Sequence, residues 1–230
     1  MKWLQKILEV DKEIFLFLNG FHSPFWDTIM LMVTRKETWF PFFAIIIYYV
    51  VKNFRVKAWL VLFFLALLIL FSDQFSVLLK ENIRRLRPVY QPEIEHLVHN
   101  VLRKGGLYGF VSSHAANGFA IFALTTRIFK NKTYWSLLLF WTVIFSYSRI
   151  YSGVHYPLDI LGGAVLGWGI GVLLYKLLIF TETRFWAEKQ PIIATLILPK
   201  AQSAIVLLVF AVLLTTVFIV SSILHHYGYL

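Results

Sequence analysis

The chain has no cysteine in its 230 residues. Disulfides, thiol catalysis, iron–sulfur clusters and cysteine-bound zinc are therefore excluded. Charge is scarce too: 15% of residues are charged, against about 25% in soluble globular chains. Hydrophobic residues make up 59% and aromatic residues 18%, against an apolar share of about 45–50% in soluble chains. That balance excludes a disordered chain and a soluble basic nucleic-acid binder. There is no internal repeat and no low-complexity linker, so one domain over residues 1–230 is expected. Acids are the scarcest charges, 12 against 22 Lys and Arg, for a net charge of +10. In a membrane protein such an excess has three readings: cytoplasmic loops, contact with anionic lipid, or a site for an anionic substrate.

Long apolar runs are plentiful. A membrane-spanning helix needs about 20 mostly apolar residues. Residues 58–79, 113–129, 134–148, 159–180 and 204–224 approach or meet that length. A sixth, residues 25–51, is broken at Arg35-Lys36-Glu37 and reads as one interrupted span. The expected fold is all-α: a polytopic membrane bundle of about six transmembrane helices. Residues 1–24 lack the uninterrupted apolar stretch and small-residue cleavage site of a signal peptide. Trp3, Ile7, Leu8, Ile14, Phe15 and Leu18 instead recur at helical spacing among lysines and three acids. An N-terminal amphipathic helix lying on the membrane fits this, and a helix docked on the bundle fits it equally. Gly163, Gly167 and Gly171 recur every four residues, a pattern that lets another helix approach closely.

The chemistry must lie in two polar segments, residues 80–114 and 148–159, because ionisable groups at a membrane boundary are costly. The first opens with Lys80-Glu-Asn-Ile-Arg-Arg-Leu-Arg87-Pro88. Seven residues separate Lys80 from Arg87, about two helical turns on one face, with Pro88 expected to stop the helix. Such a pair makes an anion site; a basic cluster touching lipid phosphates is an equal alternative. Glycines then lead into Val111-Ser112-Ser113-His114. Ser112 suits a helix N-cap. Free N–H groups at a helix start favour phosphate, and His114 falls within the first turn. The second segment is Ser148-Arg149-Ile-Tyr-Ser-Gly-Val-His155-Tyr-Pro-Leu-Asp159. Arg149 can bind an oxyanion through two donors. His155 and Asp159 are four residues apart, so a carboxylate can fix the imidazole tautomer. A buried structural histidine and a metal site are the other readings; the surrounding cations would repel a metal.

Lys-x6-Arg-Pro, then Ser-x-His, then Ser-Arg-x5-His-x3-Asp, in this order, resembles the signature of the type 2 phosphatidic acid phosphatase (PAP2) superfamily. The resemblance implies that His155 attacks phosphorus and forms a phosphohistidine, oriented by Asp159. It implies that His114 protonates the leaving oxygen and then activates water. It assigns Lys80, Arg87, Ser112, Ser113 and Arg149 to phosphate binding, with no metal and no cofactor. One departure stands out: Val111 and Ser113 replace the Pro and Gly of the family's Pro-Ser-Gly-His.

The implied activity is an integral-membrane lipid phosphatase acting on a lipid phosphate or diphosphate in the bilayer. Undecaprenyl diphosphate, phosphatidylglycerol phosphate and phosphatidic acid are the candidate substrates, with a leaning toward the polyprenyl diphosphate. A lipid A phosphatase or a phosphotransferase using the same site is the alternative, and a non-enzymatic lipid or anion transporter is the reading from another class. No nucleic-acid partner is expected, and the oligomeric state is open. The raw count of cations does not orient the chain. If those near residues 80–104 and at 149 bind substrate, the opposite side is cytoplasmic. The site then faces outward, periplasmic in a bacterial inner membrane. Asp73 reads as a structural hydrogen bonder or a brace for Lys80 or Arg87. Arg84 and Arg85 read as headgroup-level charges, or as extra contacts for a second phosphate. Residues 89–110 read as a loop over the substrate headgroup, with His96 and His99 facing solvent.

Overall fold

The computed structural model describes residues 2–186 and 192–227. Among them are eight α-helices and no strand: α1 (Lys2–Asn19), α2 (Pro24–Thr34), α3 (Phe40–Phe54), α4 (Ala58–Ile83), α5 (Ser113–Ile128), α6 (Lys132–Tyr151), α7 (Pro157–Trp186) and α8 (Lys200–His226). Three helical stretches are long and apolar enough to cross a membrane: Lys36–Ile83, Pro157–Trp186 and Lys200–His226.

Local chemistry sets the helix ends. Ser23 caps α2, its hydroxyl accepting from the Trp26 N–H, and Pro24 follows with its φ already suited to a first turn. Asn131 caps α6 by accepting from the Tyr134 N–H at 3.0 Å. The break at residues 35–37 divides α2 from α3 through a 3-10 turn, Lys36–Trp39. The Thr38 hydroxyl donates to the Met32 carbonyl at 2.6 Å and the Trp39 indole to Val33 at 2.9 Å. The Met32 carbonyl also accepts from the Arg35 N–H at 3.2 Å, and the indole bond satisfies a Val33 carbonyl that the break would otherwise orphan. Trp39 then stacks on Phe210 of α8 and meets Trp141 of α6 edge-on, at the centre of the aromatic core.

The small-residue face of α7 packs directly on α5. A Cβ at Gly171 would lie 2.6 Å from the Ala120 carbonyl, and one at Gly163 2.5 Å from that of Ser112. Ala115, Ala116, Ala120 and Ala123 of α5 are fully buried. This approach brings the start of α5 against the start of α7, where His114 and Asp159 lie. At the opposite end, Lys57 and Glu182 form a buried ion pair at 2.7 Å, and Glu182 also accepts from the Ile193 N–H.

α1 is inverted relative to a soluble helix. Its buried residues are Asp11, Phe15 and Asn19, one stripe at four-residue spacing that is largely polar. Most of its other large apolar side chains point outward; Trp3 is 69% and Phe17 66% exposed. The helix is docked on the rest of the molecule through that stripe.

Candidate active site

The site forms where α4 ends, α5 begins, and α6 turns into α7. α4 does not continue to Pro88 as its sequence suggests. It stops at Ile83, with Arg84 in the left-handed region (φ 54°) and its N–H donating to the Lys80 carbonyl at 3.0 Å. Lys80 and Arg87 are therefore not two turns apart on one helix. Residues 85–87 run extended and pair with the returning loop: Arg87 N–H donates to Leu107 O at 3.1 Å, Gly109 N–H to Arg85 O at 2.8 Å, and Leu86 bridges Tyr108. In extended chain residues two apart share a face. Arg85 and Arg87 accordingly point together toward His155 and Asp159.

His155 sits in the α6–α7 turn, 2% exposed. Its Nδ1 lies 3.3 Å from Asp159 Oδ2, and its Nε2 lies 3.2 Å from a terminal nitrogen of Arg87. Asp159 is in the first turn of α7 and fully buried. Its Oδ2 also accepts from the Tyr156 N–H at 3.0 Å, and its Oδ1 from Arg85 at 3.0 Å. Burial, and then the charges of Arg87, Arg149 and Lys80, hold the His155 imidazole well below its usual pKa. Both effects favour the neutral ring. Two glycines make the arrangement possible. A Cβ on Gly109 would fall 2.9 Å from Asp159 Oδ2. Gly153, at φ 74°, lets the turn lie against the His99 backbone, only 2.6 Å from where its Cβ would be.

The remaining motif residues gather on the facing helices. Ser112 is fully buried and caps α5 by accepting from the Ala115 N–H at 3.4 Å, while its own N–H donates to the Asp159 carbonyl at 2.9 Å. Ser113, in the family's glycine position, places its hydroxyl 2.6 Å from Lys80 Nζ and 2.6 Å from Ser76 Oγ. The substituted side chain thus steadies the lysine. His114, in the first turn of α5, stacks on Phe145. Arg149 donates to Thr34 of α2 at 2.7 Å. The Nε atoms of Arg87 and Arg149 are buried and have no partner among the described residues, so both guanidiniums retain unused donor capacity.

Several residues behave otherwise than their sequence context suggests. Arg85 is not a headgroup-level charge; it binds Asp159 and, from α1, Asp11 at 2.5 Å. The carboxylate of Asp73 makes no hydrogen bond or ion pair among the described residues; only its carbonyl is used, by Ser76. His99 is not simply solvent-facing. Its Nε2 lies 2.8 Å from Asp27, its ring stacks on His22, and its backbone is tied to the Asn19 amide. Asp11, Thr34 and Ser76 escaped the motif reading altogether. The signal for Asp11 was an acid on the same helical stripe as Phe15, in a chain poor in acids.

Comparison with known proteins decides the family. Residues 57–182 match the PAP2 superfamily. The chain belongs to that superfamily. It is 39% identical over 177 residues to a lipid A 4'-phosphatase of Bacteroides thetaiotaomicron, covering 75% of this chain and 78% of that one. It is 33% identical over 194 residues to a lipid A 4'-phosphatase of Porphyromonas gingivalis, covering 82% and 81%. The crystal structure of a transmembrane PAP2-type phosphatidylglycerolphosphate phosphatase from Bacillus subtilis shares the fold. Its TM-score is 0.58 at 19% identity, over 80% of this chain and 90% of that one. As a PAP2 protein with membrane-spanning helices, the chain is an integral membrane protein and a phosphoric ester hydrolase.

Proposed function

We propose that this PAP2 protein hydrolyses the phosphate monoester of a lipid A-type substrate through a phosphohistidine on His155. The observation that carries the mechanism is the opposed engagement of the two ring nitrogens. Asp159 takes the Nδ1 side, leaving Nε2 as the nucleophile beside Arg87. A neutral ring supplies the lone pair. In the first step Nε2 bonds to phosphorus as the P–O bond to the lipid breaks, and His114 gives its proton to the departing oxygen. In the second, His114 takes a proton from water, which displaces the histidine and releases inorganic phosphate. Lys80, Arg87 and Arg149, with Ser112 and the N–H groups of Ser113 and His114, hold the phosphoryl oxygens. They offset the charge that grows on them in the transition state.

The substrate choice rests on the relatives. Two relatives, 39% and 33% identical over 75% and 82% of this chain, carry the name lipid A 4'-phosphatase. That favours a lipid A phosphate over the polyprenyl diphosphate toward which the sequence leaned. The chain acts as a single domain with six spans, residues 25–51 counting as one broken span. α1 lies in the interface with its apolar side chains in lipid and its polar stripe on the protein. The catalytic end faces outward, periplasmic in a bacterial inner membrane.

The test is phosphate release by the purified protein in detergent from lipid A, undecaprenyl diphosphate, phosphatidylglycerol phosphate and phosphatidic acid. Fastest turnover on lipid A is expected, persisting in EDTA and inhibited by vanadate. A strict metal requirement would overturn the mechanism. Preference for the diphosphate would overturn the substrate assignment.

A further inference from the structure

The family match begins at residue 57, yet α1 reaches the catalytic dyad. Asp11 is 3% exposed, a costly place for a carboxylate unless both oxygens are satisfied. They are. Oδ2 lies 2.5 Å from one terminal nitrogen of Arg85, and Oδ1 accepts from the Leu158 N–H at 2.9 Å. The other terminal nitrogen of Arg85 donates to Asp159 Oδ1 at 3.0 Å. The guanidinium also lies over the Tyr156 ring, 4.1 Å from its centroid. Phe15, one turn after Asp11, packs edge-on against that same ring. One guanidinium thus bridges two buried carboxylates from helices remote in sequence.

We propose that Asp11 is a positioning residue for the reaction, acting through Arg85 to fix the carboxylate that orients His155. The proposal rests on the reading of His155 as nucleophile. Arginine is long and has several rotatable bonds, so a single bond to Asp159 would leave its fork free to turn. Asp11 occupies one prong of the fork and thereby aims the other at Oδ1. With Oδ1 occupied, Oδ2 is left for His155 Nδ1 and the Tyr156 N–H. The bond to Leu158 N–H registers Asp11 to the first turn of α7, the turn that carries Asp159. α1 is then part of the active site without touching substrate. Asn at position 11 can still accept from Leu158, but its amide would turn a donor toward Arg85.

A double-mutant cycle tests this on the full-length protein in detergent, using Asp11→Asn, Arg85→Gln and both together. Asp11→Asn is expected to lower kcat about tenfold to hundredfold, as a small misplacement of a catalytic group does, with KM little changed. Formation of the labelled phosphoenzyme should slow by the same factor. In the Arg85→Gln background the same substitution should cost nothing more. Full additivity, or a change in KM alone, would overturn the proposal. If Asp11→Asn does not yield folded protein, Asp11→Glu decides. It keeps the charge but displaces the fork, so reduced kcat supports the proposal and wild-type kcat refutes it. His155→Ala runs in the same assay. If it retains turnover, the nucleophile assignment itself fails. If it is inactive while Asp11→Asn behaves as wild type, only the role of Asp11 fails.

Discussion

As the proposed nucleophile, His155 must be neutral, and its burial favours that state. Removing the imidazolium from water is unfavourable, and Arg87, Arg149 and Lys80 repel it further, so its folded pKa falls well below the usual value. In the unfolded chain the ring titrates near about 6.5. Above that pH both states are neutral and the ring adds no pH dependence. As pH falls below it, the unfolded state binds a proton that the folded state refuses, so stability is lost until the lower folded pKa is reached. Compared with His155→Gln, the wild-type protein should therefore lose melting temperature in detergent as pH falls from about 6.5. A parallel decline in the two proteins would show that the ring is not held neutral by the fold. The eight motif positions proposed for the site meet at one end of the molecule. What they do not carry is the hold on them. Arg85 lies inside the first motif yet reads as a spare cation, because its partners are 74 residues away on either side.

At the scale of the element, two helices illustrate what pattern can and cannot show. The glycines of α7 announced a close packing face, and α5 supplies the matching alanines. No room remains there: a Cβ at Gly167 would overlap the Ala116 backbone. Gly167→Leu should force the pair apart and destabilise the protein by about 1–3 kcal/mol, as overpacking commonly does. Because α5 and α7 carry His114 and Asp159 near that contact, turnover should fall as well. A thermal melt together with phosphate release checks both, and an unchanged melt would show that α7 can slide past α5. The end of α4 was misjudged for a different reason. Proline marks where a helix cannot continue, not where it stops, and the pairing of residues 85–87 with 107–109 pulls the chain out of the helix earlier. That pairing depends on a loop about twenty residues long, and no local propensity reports it.

At the scale of the whole molecule, polarity runs from one end to the other. The proposed catalytic cluster occupies one end, and the buried Lys57–Glu182 pair closes the opposite one. The chain's lack of cysteine makes its orientation directly measurable. Gly106→Cys sits on the catalytic-end loop, where a side chain meets nothing within 4 Å, and Lys132→Cys is exposed at the other end. In intact cells a membrane-impermeant maleimide should label Gly106→Cys and reach Lys132→Cys only after the membrane is opened. The reverse pattern would invert the proposed topology.

The sequence alone determined the solvent and the chemistry. Apolar runs of membrane length leave a helical bundle as the economical way to satisfy the backbone, and a few cations, histidines and one aspartate at fixed spacings carry the resemblance to the PAP2 signature, which implies phosphoryl transfer. These properties follow from composition and short-range order, which a linear chain displays openly. Tertiary structure alone decided which groups hold the reacting ones: Asp11 on Arg85, Ser113 and Ser76 near Lys80, Thr34 on Arg149, and Gly109 against Asp159. A hydrogen bond is settled by a few tenths of an ångström between groups brought together by packing. Its partner can lie anywhere along the chain, so spacing in the sequence does not reveal it.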